Sequence, residues 1–453
     1  MAAQILAICI FVGMFLLIIL DKFERCYITL ASGALVLALV FGVCMHSMSA
    51  IWGTLNLPSI FTSGFWYGAS EEGNSGINWS TIFFIAGMMI MVEGLGKAGF
   101  FRWLCLTLAK LVRYRIVPLL VCFMVLSAVL SMFIDSITVV LFLATVTLEL
   151  AQTMKFNPIP MILSEIFCAN LGGAATMCGD PPNIIVGTSL GYTFFDFISN
   201  TGGAVAICFV LVLIYFVLCF RKRLLRDEKN SGAAVCPQPG TAITNRPAFL
   251  LSAGVFLLAV ILLATHAQTK LTVACIGVIV AALSLVVIGC TSGGKAVLEI
   301  IKGVDYKTLL FFIGLFVSVA GLKETGVLDV IARFITTVSG GNAAIIVVII
   351  LWISAVTSAF VDNIPFAATM IPVVRSIAAA SGIDMGVLAW ALSLGTDLGG
   401  NATPIGASAN VVGTSVAAKG GYPISWGVYC KYCVGATVLV IAVSMGYLFL
   451  RYL

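Results

Sequence analysis

Uncharged apolar runs alternate with short polar segments along the whole 453-residue chain. About 20 residues of helix cross the roughly 30 Å hydrocarbon layer of a bilayer, so runs near that length predict membrane spans at 2–20, 27–45, 79–95, 201–220, 247–265, 271–290, 308–322 and 434–450. Two further apolar stretches, 156–195 and 385–417, are interrupted. In the first, Gly172, Gly173, Gly179, Pro181 and Pro182 fall together beside Asp180. Such a cluster predicts a broken helix whose unwound backbone is buried in protein or faces a water-filled cavity. The apolar blocks 116–148, in a hairpin placed at 116–153, and 343–379 are each interrupted by one acid, Asp135 or Asp362. Each is read as a re-entrant hairpin with its tip at the acid. Between the spans lie a polar Gly- and Ser-rich stretch, 46–78, with Glu71 and Glu72, and a basic amphipathic stretch, 96–115, suited to a helix lying in the interface.

The pattern is written twice. Ser127-Ala-Val-Leu-Ser131-Met-Phe133-Ile-Asp135-Ser136 returns as Ser354-Ala-Val-Thr-Ser358-Ala-Phe360-Val-Asp362-Asn363, an offset of 227. The same offset joins Leu171-Gly172-Gly173 with Leu398-Gly399-Gly400, Thr176 with Thr403, and Asn183 with Asn410. It also joins Thr81, Phe84, Gly87 and Gly94 with Thr308, Phe311, Gly314 and Gly321. The repeats are placed at 1–226 and 247–453, with a polar linker at 227–246. Each contains five crossings and one hairpin, and an odd number of crossings inverts the second copy in the membrane. With both termini outside, all of the 24 Lys and Arg except Lys270, Lys323, Arg333, Arg375 and Arg451 fall on the cytoplasmic side, as the positive-inside rule requires.

The expectation is therefore an all-α polytopic membrane protein, an inverted repeat of about ten transmembrane helices with two hairpins and two broken helices. Composition agrees: 61% of residues are hydrophobic and 9% charged, against about 25% charged in a soluble domain. The net charge of +5 then records orientation in the bilayer and not nucleic-acid binding. Two His residues, His46 and His266, leave little for a His-based metal site, and no resident metal or cofactor is expected. The 14 Cys are scattered through apolar segments as free thiols behave. Of these, Cys430 and Cys433 form the one close pair, and Cys178 stands beside Asp180. The N-terminal apolar run has no basic region or small-residue cleavage site before it and is expected to stay as an anchor.

Inverted repeats with discontinuous helices are the architecture of secondary transporters, in which a fixed site is exposed alternately to each side. The sharpest chemical signal is four acids at predicted membrane depth, Asp135, Asp180, Asp362 and Asp397. An ionised carboxylate there costs at least about 2.5–3.5 kcal/mol unless partnered. No Lys or Arg lies within the four motifs, and Arg375 is the nearest base in sequence to a tip. Unpaired acids in a pocket of hydroxyls and carbonyls bind a cation or hold a proton; alternatively, Asp135 and Asp362 cap the second hairpin arms. Candidate ion or substrate ligands are Ser131, Asp135, Ser136, Thr138, Thr176, Asp180, Asn183, Ser358, Asp362, Asn363, Asp397, Asn401, Thr403 and Asn410. Candidate proton carriers are Asp135, Asp362, Asp180 and Glu165, the last without an acidic mate. The coupling ion is H+ or Na+.

These motifs, with Gly179-Asp180-Pro-Pro-Asn183 and Asn401-Ala-Thr403-Pro-Ile-Gly406, resemble the arsenite-pump/sodium-proton antiporter (ArsB/NhaD) branch of the ion transporter superfamily. That superfamily also holds the melanosomal P protein, citrate carriers and sodium-dicarboxylate symporters. The resemblance covers essentially the whole chain. It implies a homodimer in the plasma (inner) membrane, each protomer a scaffold and a moving transport part. For an arsenite pump it also allows a cytoplasmic ATPase subunit, as some of those pumps have. The dicarboxylate symporters have Ser-Asn-Thr at both tips, whereas here the tips are acidic. Export of Na+ or arsenite/antimonite against protons is the first functional reading, and an anion carrier for citrate, a dicarboxylate or chloride the second. A third, an intramembrane protease with paired Asp residues, does not require an inverted repeat.

Overall fold

A computed structural model describes residues 1–20, 22–68, 76–230 and 237–453, with the side chains of Lys229 and Asn230 left aside. Glu71 and Glu72 lie outside the described residues. Ten helices among them are long and apolar enough to cross a membrane. This ten is not the predicted ten. It includes the second hairpin arms, Ser136–Met154 and Asn363–Ser381, and omits both broken spans, whose halves are each too short.

The repeat is visible in the helix boundaries themselves. Trp79–Lys97, Phe100–Leu111, Ile116–Ser131 and Ser136–Met154 are matched by Tyr306–Glu324, Val327–Val338, Ala343–Ser358 and Asn363–Ser381. The boundaries are local chemistry repeated. Asn78 and Asp305 cap the first pair by accepting from the amides of Thr81 and Thr308. Gly99 and Gly326 end the turn after it at φ 84° and 74°, a conformation other residues adopt only under strain. The first hairpin arms have 16 residues each, a rise of about 24 Å, which is short of the roughly 30 Å hydrocarbon layer. Both broken spans part where predicted. Ile159–Gly173 and Pro181–Leu190 are separated by turn residues, and Met385–Gly399 leads through a 3-10 turn, Gly400–Ala402, to Ser408–Lys419.

Two bundles result, and the repeats are interlocked in both. In one, Trp79–Lys97 packs on Val273–Ser292 of the second repeat, while Tyr306–Glu324 packs on Arg25–Leu35 of the first. Both crossings need glycine on each side. A Cβ at Gly277 would stand 2.8 Å from the Phe84 Cα, and one at Gly33 would stand 3.3 Å from the Gly314 carbonyl oxygen. In the other bundle the first arm of each hairpin lies along its own broken helix, and the second arm along the last segment of the other repeat's. The polar stretch after the second span is partly helical, at Met48–Leu55 and Ser63–Trp66. The helix predicted to end near Phe220 runs on through its basic residues as Gly203–Asn230.

Gly277→Val is expected to force these two helices apart and to destabilise the protein by about 1–3 kcal/mol or more. The thermal midpoint in detergent reads this out, with Gly254→Val, where a Cβ meets nothing within 4 Å, as the control that stays near wild type.

Candidate functional site

Each hairpin tip is tied to the break of its own repeat's helix by the same bonds. The Thr176 hydroxyl donates to the Met132 carbonyl and the Thr403 hydroxyl to the Ala359 carbonyl. Asn183 Nδ2 donates to the carbonyls of Gly173 and Thr176, both at 3.1 Å, and Asn410 Nδ2 to those of Gly400 and Thr403, both at 2.8 Å. These amides satisfy carbonyls that the breaks release from helical bonding. Gly172 and Gly399 let the broken helices lie directly against Ala128 and Ala355 of the hairpins.

The acids at the tips cap the second arms. Asp135 accepts from the Thr138 amide at 3.0 Å and its hydroxyl at 2.7 Å, and Asp362 accepts from the Ile364 amide at 3.4 Å. Beyond capping, they differ. Asp362 Oδ2 receives Arg25 Nη1 at 2.7 Å and the Ser408 hydroxyl at 2.6 Å. This corrects the expectation that the acids are without a base: the packing of Arg25–Leu35 on Tyr306–Glu324 carries Arg25 from the first loop to the second tip. Arg375 instead donates to the Ser189 carbonyl, away from the tips.

Asp180 is almost wholly buried; Oδ1 accepts from the Ser136 hydroxyl at 2.5 Å, and Oδ2 has no partner. Asp397 is fully buried beside Asn183, within electrostatic range of Asp180, with neither oxygen hydrogen-bonded. The two breaks meet here. Asn170 Nδ2 donates to Asn401 Oδ1 at 2.9 Å and to Asn410 Oδ1 at 2.8 Å, and the Ser393 hydroxyl donates to Asn183 Oδ1. The Ser131 hydroxyl is buried without a partner, while that of Ser358 donates to the Thr396 carbonyl at 2.6 Å. Asn363 is buried at the second tip. Glu165 lies apart from the breaks, its Oε1 accepting from the Thr147 hydroxyl at 2.5 Å.

A cavity of about 600 Å³ opens on the side of Lys22 and Lys307, and Asp135, Asp362, Cys178 and Ser408 line its wall. On the opposite side a smaller cavity of about 150 Å³ is lined by Asn78, Thr188, Lys323 and Arg375. The two tips therefore share one aqueous space, with Asp180 bonded to Ser136 next to it. Among the described residues no cluster of His, Cys, Asp or Glu forms a metal cage, and Cys430 and Cys433 are free thiols.

Sequence reading missed Arg25, Asn170, Ser393 and Ser408. Asn170 was within reach, being the residue that the offset of 227 assigns to Asp397. Arg25 carried no such signal, since a basic residue beside an apolar span ordinarily marks only the membrane face.

Broken helices, paired hairpins and a polar site between them define an inverted-repeat membrane transporter. The sequence profile of the citrate transporter family matches residues 15–395, and the chain belongs to that family. An uncharacterized transporter of Mycobacterium tuberculosis is 32% identical over 99% of both chains. The P protein of Mus musculus is 28% identical, over 83% of this chain and 54% of that protein. Among solved structures, the YdaH transporter of Alcanivorax borkumensis matches with a TM-score of 0.57 at 15% identity, covering 94% of this chain and 96% of its own. MtrF of Neisseria gonorrhoeae, a member of a class of antimetabolite efflux pumps, matches at 0.56 and 12% identity, covering 90% and 86%. These last two likenesses are of fold. Family and relatives are transporters, not enzymes.

Removing the base leaves Asp362 without its cation. In a double-mutant cycle Arg25→Gln and Asp362→Asn are expected to be less than additive in thermal stability, with a coupling of about 0.5–3 kcal/mol. Strict additivity would show that the ion pair is absent in the membrane-embedded protein.

Proposed function

We propose that this protein is a secondary active transporter that exports a small inorganic solute, Na+ or arsenite/antimonite, in exchange for protons by alternating access. The observation that carries this reading is the charge balance of the site. Asp135 and Asp362, one from each repeat, line a single cavity with Asp180 beside it, and among the described ion pairs only Arg25 is bonded to any of the site's acids. An excess of carboxylates in a partly desolvated site favours a cation or protons, and carboxylates that bind either one in turn exchange them. Asp135, Asp180 and Asp362 are assigned to the exchange, with Ser136, Ser408 and the tip hydroxyls as neutral ligands. By the charge asymmetry, the larger cavity faces the cytoplasm and the protein sits in the plasma membrane with both termini outside. Cys178 in the cavity wall suits a thiophilic metalloid. A homodimer, as the resemblance implies, and an ATPase subunit if the cargo is arsenite, belong to the same reading.

A second reading is transport of citrate or another anion, supported by the name of the family and by Lys323 and Arg375 in the smaller cavity. Such an anion would meet the acidic tips with a bound cation that offsets their charge.

Proton movement in inside-out vesicles, followed with a pH-sensitive dye, divides these. Under the first reading sodium, lithium, arsenite or antimonite triggers proton release, and Asp135→Asn with Asp362→Asn lowers the initial rate at least about tenfold, equivalent to about 1.4 kcal/mol. A response confined to citrate or chloride would replace it with the second reading. Wild-type rates in the double variant across pH 6 to 9 would remove the tip acids from the mechanism.

A further inference from the structure

We infer that Asp397 carries a transported proton, and that in the conformation described it is the protonated acid that fills, in one half of the site, the place Asn170 fills in the other. The inference rests on the proton-coupled reading above and adds a further acid to the three that reading assigns to the exchange.

The argument is one of hydrogen-bond direction across the pseudo-symmetric site. In the half built on the second break, Asn410 donates both Nδ2 hydrogens, to the carbonyls of Gly400 and Thr403. Its Oδ1 therefore turns outward as an acceptor, and Asn170 Nδ2 meets it at 2.8 Å. The half built on the first break repeats the first part of this arrangement. Asn183 donates both Nδ2 hydrogens, to Gly173 and Thr176, and its Oδ1 turns outward to accept from the Ser393 hydroxyl. The residue facing Asn183 from the other repeat is the mate of Asn170 under the offset of 227, and it is Asp397.

An amide has hydrogens to give at this place, and a carboxylate has none. Asp397 is fully buried, neither of its oxygens makes a hydrogen bond of ordinary geometry, and the adjacent Asn183 amide, which is in range of it, already gives its hydrogens to two carbonyls. A protonated acid has one O–H, which supplies the donor that Asn170 supplies opposite. No base offsets the alternative charge. Among the described residues, the helices packed against Met385–Gly399 and their caps bring Glu165, Asp180, Arg375, Tyr429, Lys431 and Arg451, the last two lying over the Tyr432 ring and bonded to the Tyr447 hydroxyl, respectively. Of these, Glu165 is bonded to Thr147 and Arg375 to the Ser189 carbonyl, and Tyr429 is buried with its hydroxyl unpartnered. Asp180, another acid, and the Asn183 amide are the groups that act on Asp397 electrostatically. Arg25 is bonded to Asp362.

The exchange balances one for one. Arrival of a positive charge beside Asp180 and Asp397 displaces the Asp397 proton to water in the open cavity; departure of that charge on the other side lets Asp397 take a proton from the water there. The broken symmetry thus puts a proton site at this place, where a pair of asparagines would put none.

The test compares full-length wild type with Asp397→Asn, which restores an amide at this place. In the infrared spectrum at neutral pH, wild type shows the carbonyl-stretch band of a protonated carboxylic acid, and the variant lacks that component. In vesicles, the variant's proton flux falls at least about tenfold, and whatever solute exchange remains no longer varies with pH. If Asp397→Asn fails to fold, Asp397→Ser, which also has a donor, takes its place with the same expected results. An unchanged carboxylic-acid band, or proton-coupled accumulation with the wild-type pH profile, overturns the inference. Wild type that moves no protons with any solute overturns the proposed function instead, and the infrared comparison still decides whether Asp397 is protonated.

Discussion

Everything in the site follows from the rule that backbone freed from a helix inside a membrane must find its partners within the protein. The chain breaks two helices at mid-span and then supplies the missing donors from the same two segments. Asn183 and Asn410 each reach back to two carbonyls of their own break, and Thr176 and Thr403 reach across to the hairpin tips. The glycines allow the hairpin and broken helix to lie close enough for these bonds, and the bonds fix where the tip acids stand. Replacing either asparagine by an apolar residue would take a donor from two buried carbonyls, of which Gly173 keeps the Thr176 amide and Thr403 the Gly406 amide; the other is left short at a cost of about 1–3 kcal/mol.

Because the sequence is duplicated, this solution occurs twice in inverted form, and the interlocking of the repeats brings the two copies face to face. Chemistry enters where the copies differ. Asp362 has a guanidinium from Arg25, while Asp135 has only its cap. Asp397 occupies the position that mirrors Asn170's, with no hydrogen to give unless it holds a proton. Glu165, matched by Leu392, lies in only one half. Under the proposed function, the symmetric scaffold makes the site accessible from two sides in turn, and the unsymmetric charges select the solute and the coupling ion.

The fold was legible to a high degree because membrane helices announce themselves by length and because the duplication doubled every signal. The helix from Phe100 to Leu111 and its copy from Val327 to Val338 came from amphipathic stretches, and the breaks came from clustered Gly and Pro. The acids were legible for the same reason, since charge at membrane depth is rare. What the sequence concealed was contact between segments far apart. Arg25 reaches Asp362 across 337 positions, and nothing local distinguishes it from a basic residue that only marks the membrane face. Ser393 was hidden differently, as a single polar residue in an apolar helix whose role appears only when the two breaks are set against each other, whereas Asn170 could have been found as the offset mate of Asp397.

The central claim is that one site, holding Asp135 and Asp362 in a common cavity, is exposed to one side of the membrane at a time. Cys178 lies in the wall of that cavity, so its accessibility reports which side is open. In an otherwise cysteine-free protein in oriented vesicles, the rate of reaction with a membrane-impermeant maleimide would be measured from each side, with and without an opposing proton gradient. The account predicts reaction from the side of Lys22 and Lys307 at rest, and a shift of reactivity to the other side when the gradient and cargo drive the site across. Simultaneous reaction from both sides, or accessibility that no gradient or solute alters, would contradict it.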